Sequence, residues 1–566
     1  MRLVERGVRY LGRHRKEVLA ATAAGGTCLA AALALTGAIT WPAALLTCAW
    51  GVLALGTGLA LAMLLRLDRH TGDVRRAVFG GGSLLTAQGM AGIAAHAQEA
   101  RTRADTLYEE GRIQEAVDEL VPYAAFDDEA DLARRRMMSE RRALGPLHGL
   151  PERATTAYEP VPGRVLHLVS NALPNSQVGY TVRTHRIVTA QRGAGLDPHV
   201  VTFPGWPIKA HCDTAPVREV DGIPYHRVRP GQHIRPGLQE RIDAAVTDVT
   251  ALAHRLRPAV LHAASDHKNA TVALHVGRAL GIPVVYEVRG FLEETWLSGG
   301  QATSRRGSER HHLLVERETS VLREADAVVT LAHTMRVEIA RRGVDPERIV
   351  LAPNAVDTDL LEARPDGEAF RSEHGIDPDT LVLGSVSTLT HYEGFGTLVE
   401  AAAHLHGQGH PIRVLLVGDG AARRELLDQI RRLGLEKVCL LPGKVGPDEA
   451  LRAQAALDVM VVPRLDRRVC RLVTPLKPVE AMALGTPVVA SDLPALRELL
   501  DEGRAGTLVP PEDPAALAEA VAALAEDPEL RRQQTKAARE QVLATRTWAR
   551  NAEAYRDLYE HLGVTS

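Results

Sequence analysis

The stretch 463–492 constrains the fold of this chain most, because it joins a basic loop, an apolar helix and a β-branched strand. Thr474 is a favourable N-cap and Pro475 suits the first helical position, so we predict that a helix begins there. Gly485 is placed to end that helix. The residues TPVVA at 486–490 have the character of a buried parallel strand. This order of elements predicts an α/β domain.

The loop before this helix is strongly basic. A helix N-terminus presents unpaired N–H groups and a positive dipole end, which favour an anion, and arginine matches phosphate oxygens well. Glu480 follows about one and a half turns into the predicted helix, where its carboxylate can accept hydrogen bonds from ribose hydroxyls. We therefore predict a nucleotide diphosphate site. The alternative is a solvated loop beside a surface glutamate. The cations are Arg464, Arg467, Arg468, Arg471 and Lys477.

The segment 474–499 (TPLKPVEAMALGTPVVASDLPALREL) resembles the signature of retaining glycosyltransferases of family 4. That family has the GT-B fold, in which two Rossmann-like domains face a cleft, and the resemblance extends over about residues 163–560. It implies that Glu480 binds the ribose. Leu472 stands where the family often has a glutamate. We also place Thr474, Leu476 and Lys477 in the donor site.

The N-terminal region predicts a membrane anchor. Residues 18–65 contain no charge, which suits two spanning helices of about 20 residues. The break falls at 37–42, and basic residues on both sides place both flanks in the cytoplasm. We therefore predict a helical hairpin in the cytoplasmic membrane within residues 1–67. A cleaved signal peptide is the alternative, although the apolar run is long for one.

Residues 68–155 predict a helical connector. The GGGS there lacks a following Gly-Lys-Ser/Thr, so we interpret it as a hinge and not as a phosphate loop. The segment 104–124 resembles one tetratricopeptide-like helix pair, which is too little for a solenoid. We expect it to act as a spacer or in self-association.

The first α/β domain is predicted at 156–345. A buried strand at 165–169 leads into a loop with Gly179 and Tyr180, and a helix follows. The resemblance implies that this glycine approaches the donor phosphate or the acceptor. Arg183 is a further candidate beside it.

Two more strands of this domain end in polar residues. Ligands of α/β sheets bind outside the carboxyl ends of the strands, so His262, His267, Glu287 and Arg289 are candidate catalytic residues. The resemblance implies a second histidine at Ala264, for which His267 can substitute. The alternatives are a core histidine at His262 and a structural salt pair between Glu287 and Arg289.

The second domain is predicted at 346–540, and a last helix within 541–566 is expected to cross back to the first domain. The resemblance implies an arginine and a lysine on the diphosphate, but here Ser387 and Glu393 stand near those places. We therefore expect the basic loop to meet the phosphate charge. The nucleotide-binding residues implied on the other loops are Gly418, Gly443, Lys444 and Val445.

The resulting prediction is a retaining glycosyltransferase with a UDP- or GDP-linked sugar donor and no cofactor or metal. The predicted membrane hairpin favours a lipid-linked or cell-envelope glycan acceptor. A net charge of −3 gives no sign of nucleic-acid binding. An inactive membrane scaffold with the same fold is the alternative. The five cysteines form neither a zinc pattern nor a disulfide framework, which indicates a reducing compartment. They are Cys28, Cys48, Cys212, Cys439 and Cys470.

Overall fold

The computed structural model describes residues 87–564 with short gaps. The hairpin predicted at 18–65 lies outside the described residues, and no described helix is long and apolar enough to cross a bilayer. The chain forms two compact units, 1–141 and 142–566. The gaps are 148, 156–157, 208–213, 233, 235–236 and 300–304.

The first unit contains a helix pair within the predicted connector. Gly111, with φ of +84°, turns the chain between the two helices. Ile113, Val117 and Leu120 recur at three and four residues and are buried, which fits an amphipathic helix packed on its neighbour. A third helix runs across the boundary into the second unit. These helices are α1 (Ala87–Glu109), α2 (Ile113–Leu120) and α3 (Asp128–Leu144).

The second unit contains two lobes, and the first is built on an eight-stranded sheet of order β3-β4-β2-β1-β5-β6-β7-β8. Its strand pairs are parallel except β3 with β4. Every residue of β5 and β6 is buried, which explains their continuous apolar sequence. The strands are β1 (Val161–Val169), β2 (Asp197–Thr202), β3 (Val217–Val220), β4 (Ile223–Arg227), β5 (Pro258–Ala264), β6 (Val284–Val288), β7 (Ala327–Thr330) and β8 (Ile349–Leu351).

Helices connect these parallel strands. Asp266 caps α6 by accepting a hydrogen bond from the Lys268 amide at 3.0 Å. The helices are α4 (Gly179–Gly193), α5 (Leu238–Leu256), α6 (His267–Leu280), α7 (Leu292–Leu297), α8 (Glu309–Glu324) and α9 (His333–Arg341), with a 3₁₀ turn at Pro346–Arg348.

The second lobe has a six-stranded parallel sheet of order β11-β10-β9-β12-β13-β14. Its strands are β9 (Leu381–Val386), β10 (Ile412–Val417), β11 (Cys439–Gly443), β12 (Val459–Val462), β13 (Val488–Ser491) and β14 (Thr507–Val509). Its helices are α10 (Asp359–Glu362), α11 (Gly367–Glu373), α12 (Phe395–Gly407), α13 (Arg423–Arg432), α14 (Pro447–Ala455), α15 (Arg468–Leu472), α16 (Lys477–Leu484), α17 (Pro494–Leu499), α18 (Pro514–Glu526) and α19 (Pro528–Thr545), with 3₁₀ turns at His391–Glu393 and Asp501–Gly503.

Two elements near the lobe boundary and the C-terminus belong to the first lobe. β8 still pairs with β7, so the first sheet continues beyond the domain boundary that the sequence placed at 345. The last helix, α20 (Trp548–His561), begins at a Thr547 cap. Its Tyr555 and Tyr559 are buried against the strands of the first sheet. The end of the chain therefore completes the core of the first lobe.

Candidate functional site

The lobes meet where strands of both sheets end. Segments that follow β6, β7 and β8 contact the segment 463–474 that follows β12. Arg468 forms ion pairs with Glu294 and Glu338, at 2.8 Å and 2.7 Å. Asn354 donates a hydrogen bond to the Thr474 carbonyl at 2.9 Å. The carboxyl ends of the two sheets thus border one region, where open α/β sheets bind ligands.

A buried ionic network lies at this edge of the first lobe. Glu287 at the end of β6 is fully buried. Its carboxylate accepts hydrogen bonds from Arg183, at 2.8 Å and 3.0 Å, and from Arg289 at 3.0 Å. The His262 Nε2 atom lies 3.1 Å from the same carboxylate. Three predicted site residues therefore contact the carboxylate of a fourth, Glu287.

Burial and charge set the protonation states in this network. Burial alone would raise the pKa of Glu287, but the guanidinium groups of Arg289 and Arg183 hold that pKa well below its usual value. Burial lowers the pKa of His262, against the opposing effect of Glu287. The carboxylate is thus charged and the imidazole neutral near pH 7.

The last helix completes the network from the other side. The Tyr559 hydroxyl lies 2.6 Å from His262 Nδ1 and accepts a hydrogen bond from Gln191 at 3.1 Å. The ring of Trp548 lies 5.4 Å from the Arg183 guanidinium carbon. The network therefore ties α4, β5, β6 and α20 together.

This geometry corrects the predicted catalytic roles in the first lobe. His262 and Glu287 have no exposed surface, so neither contacts a substrate in this conformation. They match the alternative of a core histidine and a structural salt network. His267 is the first residue of α6, is buried, and has a pKa lowered to about 4 by burial. Its Nδ1 atom has no partner in the described structure.

The loop before α4 remains open to solvent. Gly179 is exposed, and a Cβ atom added there would meet no atom within 4 Å. The Tyr180 ring lies 4.9 Å from the Arg289 guanidinium carbon, and its hydroxyl accepts a hydrogen bond from the Ser170 amide at 3.3 Å. Gly179 therefore lies beside the buried network and is free of packing against it.

The helix in the second lobe starts later than the sequence predicted. α16 begins at Lys477 after Leu476, with Pro478 in its first turn, so Thr474 and Pro475 precede the helix. Proline at 478 fixes a helical φ and lacks only an N–H that the first turn leaves unpaired. The buried Thr474 hydroxyl has no hydrogen-bond partner in the described structure.

Lys477 and Glu480 lie on the first turn of α16. Lys477 Nζ donates to Glu480 Oε2 at 2.9 Å. The side chains are 36% and 17% exposed, so both groups are accessible to a ligand. The predicted phosphate and ribose contacts thus lie side by side at this helix start.

The arginines of the basic loop do not converge on that helix start. Arg464 is buried and forms two hydrogen bonds with Glu393, at 2.7 Å and 3.1 Å. Glu393, which stands near the place where the resemblance implies a lysine, is therefore neutralised by this pair. Arg471 is paired with Asp466 at the surface, and Arg468 contacts the first lobe. In this conformation Arg464, Arg468 and Arg471 face three different partners, and their joint binding of the phosphates stays a prediction.

Two predicted glycines lie on the neighbouring loops, and close packing requires one of them. Gly418, with φ of +142°, is needed because a Cβ atom there would overlap the Ser387 carbonyl. Gly443 ends β11 with φ of +92°, and Lys444 after it is exposed. Val445 is half-buried beside them. These loops border the same edge of the second sheet as α16.

Several contacts at the site were not predicted. Asn354 and Glu338 carry no local signal for a role at the site. Tyr559 lies in the last helix, for which the sequence predicts only a return to the first domain. No local pattern reports these contacts, since each partner is more than a hundred residues away or comes from the opposite lobe. Among the described residues there is no group of ligands suited to a metal ion.

Two family models match the chain. Residues 366–541 match "Glycosyl transferases group 1", and residues 178–355 match "Glycosyl transferase 4-like domain". The 2-deoxystreptamine glucosyltransferase of Streptomyces kanamyceticus is 28% identical over 358 residues, which are 61% of this chain and 89% of the relative. The D-inositol 3-phosphate glycosyltransferase of Nocardia farcinica is 32% identical over 253 residues, or 43% of this chain and 54% of the relative.

Solved structures share the fold. The sucrose-phosphate synthase of Thermosynechococcus elongatus superposes with a TM-score of 0.60 at 22% identity, and 71% of this chain and 100% of that chain are covered. Anabaena HepE in complex with UDP and glucose gives a TM-score of 0.53 at 21% identity, with coverage of 70% and 99%.

The fold and the site define a class. The protein is a glycosyltransferase with the GT-B architecture, as the paired sheets, the two family models and the relatives agree. The prediction of an α/β fold with two Rossmann-like domains is confirmed at this level.

Proposed function

We propose that this protein transfers a sugar, with retention of configuration, from a UDP- or GDP-linked donor to a lipid-linked or cell-envelope glycan acceptor at the cytoplasmic face of the membrane. The observation that carries the donor site is the start of α16, where Lys477 and Glu480 are accessible side by side. On binding, the phosphate replaces Glu480 as the partner of Lys477, and a ribose hydroxyl donates a hydrogen bond to the Glu480 carboxylate, so both side chains keep a polar partner.

The chemistry follows from the position of this helix start. The helix N-terminus and Lys477 stabilise the charge that develops on the leaving diphosphate. A phosphate oxygen of the leaving group accepts the acceptor proton. Closure of the two lobes excludes water from the reaction. Glu287 contributes by holding Arg183 and Arg289 in place, not by contact with the sugar.

The acceptor rests on two different lines of support. The uncharged run at 18–65 favours a membrane-bound acceptor. The relatives named above act, by their names, on 2-deoxystreptamine and on D-inositol 3-phosphate. A screen of acceptors therefore includes cyclitols beside polyprenyl-linked glycans, and NMR of the product anomeric centre tests retention.

One observation favours the inactive scaffold as a second candidate. The five cations of the predicted phosphate site all have carboxylate partners in the described structure: Arg464, Arg467, Arg468, Arg471 and Lys477. A protein that binds no nucleotide would need no free cation there.

Calorimetric titration of the full-length protein with UDP, GDP and ADP separates the two candidates. We expect one nucleotide to bind and Glu480→Gln to weaken that binding about tenfold, the effect of one charge-assisted hydrogen bond. Glu519→Gln, on an exposed face of α18, is the matched control and should bind normally. Absence of binding by the folded protein would establish the scaffold and exclude the transferase.

A further inference from the structure

Three consecutive carbonyl groups just before α16 accept hydrogen bonds from three different side chains. The Leu472 carbonyl accepts from Thr334 at 2.9 Å, and the Val473 carbonyl accepts from Arg464 at 2.8 Å. The Thr474 carbonyl accepts from Asn354 at 2.9 Å. We call residues 472–474 the coupling segment.

Two of these three donors belong to the first lobe. Thr334 lies in the first turn of α9, directly after β7, and Asn354 follows β8. Arg464 alone comes from the second lobe, and Glu393 holds its guanidinium. The path of the chain into α16 is therefore fixed from both lobes at once.

Apolar packing supports the same connection. Leu472 and Val473 pack against the hydrophobic core of the first lobe, although they belong to the second lobe's sequence. The leucine that replaces the glutamate expected from the family resemblance thus has a packing role between the lobes. In addition, the Glu498 carboxylate accepts hydrogen bonds from the His333 and Thr334 amides at 2.7 Å and 3.1 Å, so the second lobe caps α9.

Asn354 also connects the coupling segment to the buried ionic network. Its Oδ1 atom accepts a hydrogen bond from Arg183 at 3.2 Å, while its Nδ2 atom donates to Thr474. Arg183 in turn is held by Glu287. Asn354 is 6% exposed. An amide with both ends used in a buried site is fixed in one orientation.

We propose that Asn354 and Thr334 are positioning residues for donor binding, which act through the coupling segment to hold the N-terminus of α16 in place. This inference rests on the proposed function for its effect on the donor. They do not touch the donor themselves. Their hydrogen bonds require the lobes to be docked as they are here, so the donor site is complete only in that arrangement.

The test uses three variants of the full-length protein. Asn354→Asp keeps an acceptor for Arg183 but replaces the donor to Thr474 with an oxygen. Thr334→Val is nearly isosteric and removes the donor to Leu472. Asn551→Asp is the matched control, because Asn551 is also buried and donates to the Pro353 carbonyl at 2.8 Å, which Arg183 contacts too, but forms no hydrogen bond with the coupling segment.

Two measurements are made on each variant. Amide hydrogen exchange without ligand, read at the non-proline residues of 475–480, should rise about tenfold in Asn354→Asp and Thr334→Val, and remain at the wild-type level there in Asn551→Asp. The Kd of the nucleotide found by calorimetry, and the donor KM, should rise about tenfold in the first two variants, while the acceptor KM stays unchanged.

The outcomes separate this inference from the proposed function. Equal effects of Asn354→Asp and Asn551→Asp on exchange at 475–480 would overturn it, because general loss of stability would then explain both. Unchanged exchange in Asn354→Asp and Thr334→Val would overturn it as well. If the wild type binds no nucleotide, the transferase proposal and the donor role both fall, and the exchange data alone decide whether the coupling segment is held from both lobes.

Discussion

Replacement of Glu287 by glutamine tests whether this residue is a structural centre or a catalytic group. In the structure its carboxylate is fully buried and pairs with Arg183 and Arg289, whose side chains are only 4% and 7% exposed. Glutamine keeps the shape and an acceptor oxygen but removes the charge. Two buried guanidinium groups are then left without a counter-ion.

The expected cost follows from this burial. Removal of one partner from a buried ion pair typically costs about 3–5 kcal/mol of unfolding free energy, because the remaining charge stays desolvated. Asp248→Asn is the control on the same lobe. Asp248 pairs with Arg229 at 2.5 Å, but the side chains are 27% and 39% exposed, so that change should cost less than about 1 kcal/mol.

Urea unfolding followed by circular dichroism measures both variants, at pH 7 and at falling pH. The pKa of folded Glu287 is held well below its usual 4.5. Its contribution is therefore complete above about pH 4.5 and is lost as pH falls toward the folded pKa. The gap between wild type and Glu287→Gln should narrow in acid. A loss at pH 7 no larger than that of Asp248→Asn, or a gap that widens in acid, would refute the reasoning.

One further prediction concerns a second buried acid, Glu318, and another concerns the ion pair between Arg468 and Glu338 that joins the lobes. Burial, together with the charge of Glu293, raises the pKa of Glu318 to about 8. Because this pKa is raised, its stabilising contribution is complete below about pH 4.5 and is lost as pH rises to 8. Wild-type stability should fall by several kcal/mol between pH 5 and 8, at up to about 1.4 kcal/mol per pH unit, while Glu318→Gln should show a flat profile in urea unfolding. Arg468→Ala and Glu338→Gln should each change nucleotide affinity by less than about threefold, since the Arg468 side chain is 42% exposed in their ion pair.

Each of these two predictions has its own contradicting result. A Glu318→Gln variant whose stability follows the wild-type pH profile would show that another group titrates. A large loss of nucleotide affinity in Arg468→Ala alone, measured by calorimetry, would mean that this arginine contacts the phosphates directly.

Local sequence determined the elements of both sheets. Apolar runs predicted strands at 165–169 and 486–490, which overlap β1 and β13, and the last helix lies within the predicted range 541–566. The central strands of a parallel sheet are buried on both faces, so their sequences are continuously apolar and can be recognised without any tertiary information. The same local rule failed at α16, where Pro478 rather than Pro475 takes the first turn.

The site was determined differently. The sequence identified Arg183, His262, Glu287 and Arg289 as chemically notable, and the structure brings them together in one network. Residue types at strand ends do not show whether a group is buried. The sequence therefore could not distinguish a catalytic role of these residues from a structural one. For the arginines of 464–471 the sequence predicted charges that are free to bind phosphate, but Arg464 is buried and paired. Nothing local reveals that Glu393, at a separation of 71 residues, neutralises it.

The amino-acid sequence by itself thus determined the class of fold, the strand and helix order and the position of α16, because these depend on side-chain period, caps and backbone preference within a few residues. Only the tertiary structure decided which charges are paired, which are accessible, and how residues 472–474 join the lobes. The physical reason is that desolvation and ion pairing depend on neighbours brought in from distant parts of the chain, and these set the energy of a charge more than its own identity does.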